Sequence, residues 1–120
     1  MKFLVALVLA LVCGFTTGQQ TQGTAGDFTP IPWDPNNEEL VSLMNFGLQD
    51  AIPNAIAAGQ ILEGYWTWTQ VNNVEVQVVA GMNYQFSVEI SDGAGDIAIL
   101  TYVVYEDLLG NMSFVSWTVL

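Results

Sequence analysis

The spacing of hydrophobic and polar positions changes three times along this chain. Behind Lys2, residues Phe3 to Val12 form an unbroken apolar run. A charged residue followed by a short greasy stretch is the layout of a secretory signal segment and is too short to span a bilayer. Further on, Phe28-Thr29-Pro30-Ile31-Pro32-Trp33 reads as an extended stretch, because each proline also pushes its predecessor away from helix. From Leu40 the period becomes helical. Leu40, Leu43, Met44, Gly47, Leu48, Ala51 and Ile52 recur at three- and four-residue spacing, which puts them on one face over about four turns. Asp34-Pro35-Asn36-Asn37 supplies capping residues, and Glu38 and Glu39 fall where the helix dipole favours negative charge. Pro53 is expected to end the helix. Core packing accounts for the apolar stripe, with Asn45 and Gln49 on the opposite side.

After a small-residue connection at 54–59 the period shortens to two and stays there. Tyr65 to Val71 and Val74 to Val79 alternate in character, with Asn72-Asn73 as a bulge or turn between them. A reversal at Gly81 follows, then a strand with Tyr84, Phe86, Val88 and Ile90 on one face. Asp92-Gly93-Ala94-Gly95 is the next turn, Ile97 to Tyr105 the next strand, Leu108 to Asn111 a further reversal, and Phe114 to Leu120 the last strand. One helix followed by a four-strand antiparallel meander is an α+β arrangement, with the sheet wrapped across the helix.

Charge sharpens this picture. The chain carries one Lys or Arg against twelve Asp and Glu, with no histidine and one cysteine, for a formal charge of −11. The cation is Lys2 and the thiol is Cys13, both inside the segment expected to be removed. Thr16 and Gly18 suit cleavage before Gln19, which makes residues 1–18 a signal peptide and 19–120 one exported domain. Nucleic acid and anionic membranes are then poor partners, since binding them relies on cations that displace counterions. Loss of imidazole, amine and thiol removes general-base, Schiff-base and thiolate chemistry and the soft metal ligands. No cofactor, metal or catalytic residue is expected. Carboxylate pairs remain, Asp92 with Asp96 and Glu106 with Asp107, but both lie in glycine-containing turns and read as solvated. Asp92 to Asp96 lacks the further oxygen ligands of a calcium loop. No disulfide can form within 19–120, so a core must hold the fold, and 52% hydrophobic residues can supply one.

The run Gln77-Val78-Val79-Ala80-Gly81 resembles the central hairpin of the cystatin family, whose members plug the active-site cleft of papain-like cysteine proteases. The resemblance extends over nearly all of 19–120. Gly26 lies where the family has a glycine in an amino-terminal arm, and Asn45-Phe46-Gly47-Leu48 is similar to the family's helix. Where most members carry Pro-Trp in a second hairpin, this chain has Asp107-Leu108, and Leu108-Leu109-Gly110 looks more like the Leu-Pro-Gly turn of the disulfide-free stefin branch. Trp117 is assigned to packing, because placing it in the hairpin would leave too little chain for a last strand.

The resemblance implies one long helix wrapped by a four- to five-stranded antiparallel sheet. It also implies a secreted, extracellular, reversible inhibitor of cathepsin-class proteases, monomeric, with domain exchange through the first hairpin as a competing assembly. Its contact residues would be Gly26, Gln77, Val78, Val79, Ala80, Gly81, Leu108 and Leu109. Asn111-Met112-Ser113 is an N-glycosylation acceptor beside the second hairpin, where a glycan would crowd the cleft-facing edge. The alternative is a non-inhibitory protein of the same fold, acidic and extracellular, that binds a basic partner through its charge.

Overall fold

The computed structural model describes residues 26–120. The expected signal segment and residues 19–25 of the arm lie outside the described residues. A helix, α1 (Glu38–Ala57), packs on one five-stranded antiparallel sheet whose spatial order follows the chain: β1 (Thr29–Ile31), β2 (Thr67–Val79), β3 (Gly81–Ser91), β4 (Ile97–Glu106) and β5 (Met112–Val119). The α+β arrangement is as expected, with one strand added. The proline-stiffened stretch before the helix docks as β1, pairing Thr29 with Val76 and Ile31 with Val74. Pro30 is tolerated there because an edge strand leaves one row of backbone groups unpaired.

Asn37 caps the helix, its side-chain oxygen accepting from the Leu40 N–H at 3.1 Å. Leu40, Leu43, Met44, Gly47, Leu48 and Ala51 are buried as the spacing requires, and Ala55 joins them. The expected stop at Pro53 does not occur, and the helix continues to Ala57. Pro53 has no N–H to offer the preceding turn, a defect of about 3 kcal/mol in a free helix. Here it lies on the exposed face, while Ala55 is buried and Ile56 packs against the core on the other. The Asn54 side chain also occupies the Asp50 carbonyl at 2.8 Å. Beyond the Ala58 cap, Gly59 closes the helix: its φ of 74° turns the chain back, with Gly59 N–H on the Ile56 carbonyl and Gln60 N–H on the Ala55 carbonyl.

Phe86, Val88, Ile90, Leu100, Tyr102 and Val104 form the sheet's half of the core, all fully buried. The Phe86 and Tyr102 rings stack at 5.6 Å between centroids. Tyr102 donates its hydroxyl to the Met44 carbonyl at 2.7 Å, so its side chain's only polar atom is satisfied. Gly47 brings the helix onto that ring: a Cβ there would stand 2.5 Å from Tyr102 Cδ2 and 2.6 Å from Val104 Cγ2.

β2 is one strand rather than two. Asn72-Asn73 forms a bulge, with register shifts between Trp68 and Gln70 and between Val71 and Asn73. Ordered strand begins at Thr67, two residues later than the alternation suggests, because Trp66 turns inward and donates its indole N–H to the Leu62 carbonyl at 2.8 Å. Trp117 lies in β5 opposite Tyr102 and packs against the core.

Candidate interaction edge

In an antiparallel meander alternate turns lie at the same end of the sheet, which brings the β2–β3 and β4–β5 reversals together and puts the Asp92 to Asp96 turn at the other end. The first reversal is tight. Val79 pairs directly with Gly81, leaving Ala80 alone at the tip. Gly81 has φ of 106°, a value that side chains oppose, and it is buried. A Cβ on it would run into the Glu106 carbonyl oxygen and lie 3.0 Å from both Asp107 Cα and the Tyr105 hydroxyl. Gly81 therefore works by letting two hairpins touch, and offers little surface of its own. The Tyr105 hydroxyl also donates to the Ala80 carbonyl, tying the first tip to β4.

The second reversal is organised by one carboxylate. Asp107 Oδ1 accepts from the N–H groups of Leu109 at 2.8 Å and Asn111 at 2.9 Å, while Gly110 N–H returns to the Asp107 carbonyl at 3.0 Å. These donors, led by the Asn111 N–H, hold the Asp107 carboxyl below its ordinary range against a smaller opposing effect of desolvation. Its neighbour Glu106 moves the other way, raised first by burial and then by Glu39 of the first helical turn. With the turn fixed by Asp107, Leu108 and Leu109 project into solvent, 81% and 88% exposed, and Val78 on the first hairpin is 64% exposed. Val79 is half-buried and Ala80 exposed.

Gly26 meets the same end. Beyond the last β1–β2 pair read toward the amino terminus, the Gln77 side chain takes over from the backbone ladder and donates to the Gly26 carbonyl at 2.8 Å. Asn83, the cross-strand partner of Gln77, donates to its Oε1 at 2.9 Å. Gly26, Gln77 to Gly81, and Leu108-Leu109 thus share one edge. Asn111 is on it as well, exposed, with its side-chain amide on Asp107 Oδ2 at 3.2 Å.

Three residues that organise this edge are not among those the sequence singles out for contact. Asn83 and Tyr105 follow from register: once the tip is centred on Ala80, Gln77 falls opposite Asn83, and Asn83 opposite Tyr105. Asp107 reads in sequence as a solvated acid, and only its offset from Leu109 and Asn111 hints at a turn-capping role. At the far end Asp92 does the same, accepting from Ala94 N–H at 2.8 Å and Asp96 N–H at 3.2 Å. The Ala94 bond is the main cause of the lowered Asp92 carboxyl, and contact with Asp92 raises that of Asp96. Among the described residues no group of three acidic side chains is placed to hold a metal ion. Comparison with protein-family models gives no match, and comparison with curated proteins gives none.

Proposed function

We propose that this protein is a cystatin-like, secreted, reversible inhibitor of papain-like cysteine proteases, and that the shared edge is its cleft-filling wedge. The observation that carries this reading is the convergence of three sequence-distant segments at one end of the sheet with their apolar tips left in solvent. Buried in a partner, Val78, Leu108 and Leu109 together are worth roughly 4–8 kcal/mol of transfer free energy. Association costs about as much again in lost rotational, translational and side-chain freedom. Apolar burial alone therefore does not produce tight binding, and pre-formed loops matter: the Asp107 turn and the Tyr105 tie hold the tips in place before any partner arrives.

The mechanism is exclusion. Hairpin tips fill the cleft with side chains and backbone while no peptide carbonyl is presented to the nucleophile, so the inhibitor leaves intact. Titration of residues 19–120 against papain tests this: competitive, reversible inhibition with uncleaved chain recovered supports it, and no inhibition at high micromolar concentration from a folded monomer overturns it.

A second reading rests on charge. Twelve carboxylates and no cation beyond Lys2 suit a protein that captures a basic partner. Charge-neutralising substitutions weaken capture on that reading and leave inhibition intact on the first.

A further inference from the structure

We propose that Gln77 is a positioning residue for the amino-terminal arm, a role that rests on the wedge reading and adds to it the device by which the arm is aimed. The geometry is a two-step polar relay on the sheet face away from the helix. Asn83 on β3 donates to Gln77 Oε1 at 2.9 Å, which turns the Gln77 amide so that its N–H₂ faces the arm; that group then donates to the Gly26 carbonyl at 2.8 Å. The second contact joins residues 51 apart in sequence. It also stands where the backbone ladder has run out, since Thr29 is the last residue of β1 to pair with β2. Gly26 is exposed, with open space where a Cβ would be. The clamp on its carbonyl is thus the contact that holds Gly26 beside the first hairpin tip.

The relay gives Gln77 a positioning role in place of the contact role that the resemblance implies for it. Its half-buried amide is committed on both sides, to Asn83 and to Gly26. On the wedge reading the partner is met by Gly26, which the relay holds, and by the exposed tips.

Gln77→Glu tests the relay because it is nearly isosteric. The variant keeps an acceptor for Asn83 but replaces the donor facing Gly26 with a repelling oxygen. It is made in residues 19–120 and in a chain beginning at Asp27, which retains the helix, every strand and the whole core. The readouts are ¹⁵N heteronuclear NOEs of the free protein and inhibition of papain. The expected result is lowered NOEs at Gly26 and Asp27 with Val79 to Gly81 unchanged, about fivefold weaker inhibition in the longer chain, matching loss of one hydrogen bond, and no change in the shorter one. Near about pH 4 the introduced carboxyl becomes protonated and can donate again, so the gap to the parent chain narrows. Unchanged NOEs at Gly26, or equal weakening in both chain lengths, overturns the proposal. If the parent chain does not inhibit papain, the proposed function fails by itself and the NOEs alone decide the clamp.

Discussion

Gly81→Ala separates two reasons for having glycine at the first hairpin. One is conformational: φ of 106° is costly for any L side chain, at about 1–2 kcal/mol. The other is spatial: the new methyl meets the Glu106 carbonyl oxygen and crowds Asp107 Cα, both backbone atoms that cannot swing aside. Overpacking of this kind costs about 1–3 kcal/mol, limited above by what it takes to part the two hairpins and lose the Tyr105 bond to Ala80. The expected total is about 2–5 kcal/mol. Gly93→Ala is the internal control, because its φ of 78° is also positive but its Cβ would meet nothing within 4 Å. That change is expected to cost only about 1–2 kcal/mol. Urea unfolding of both variants measures the difference. With a slope of about 1–3 kcal/mol per molar, Gly81→Ala lowers the midpoint by roughly 0.3–3 M beyond Gly93→Ala. Equal losses in the two variants would refute the close approach of the hairpins.

Three further outcomes follow from the same contacts. Gly47→Ala destabilises by up to about 2 kcal/mol even though alanine gains about 1 kcal/mol in helix propensity, because Tyr102 is anchored to Met44 and cannot yield; a stabilised variant in urea would contradict this. The two acids at the second hairpin give opposite pH dependence. Asp107 is lowered, so its contribution is complete above its ordinary pKa and is lost as pH falls through the lowered folded value; Glu106 is raised, so stability instead increases as pH falls from its folded value toward its ordinary one. Urea midpoints between about pH 3 and about pH 7 should show the acid loss removed in Asp107→Asn and the opposing limb removed in Glu106→Gln. Leu108→Ser with Leu109→Ser leaves stability in urea within about 0.5 kcal/mol of the parent, since both side chains are in solvent, and abolishes inhibition of papain.

Period and punctuation make most of the fold readable. The helix face from Leu40 to Ala51 is visible because its residues pack on a single sheet, and the strands from β2 onward because side-chain character alternates along them, most clearly in β3 and β4, which bury one face. Two features lie outside local pattern. Pro53 reads as a stop by propensity, but burial of Ala55 is a tertiary effect that only the docked sheet reveals. β1 is three residues containing a proline, too short for any period, and exists because the edge of β2 at Val74 to Val76 is there to receive it. At the candidate edge the tips are legible as turns with apolar residues. What holds them is less so: Tyr105 reaching Ala80 and Asn83 turning Gln77 depend on register across three strands, while Asp107 closing its own loop is local and shows only in its offset from Leu109 and Asn111. Gly81 is also the buried point at which the two hairpins meet, a close approach that local pattern does not show.

Which end of the sheet meets a protease can be decided by amide chemical-shift mapping, with ¹⁵N-labelled residues 19–120 titrated with papain. Signals of Gly26, Val78 to Gly81 and Leu108 to Gly110 are expected to shift or broaden first, while those at the opposite end, where Leu62, Tyr65 and Ile97 are also exposed, stay in place. Changes centred on that opposite end, or none at saturating papain, would show that the hairpin tips are not the surface a protease meets.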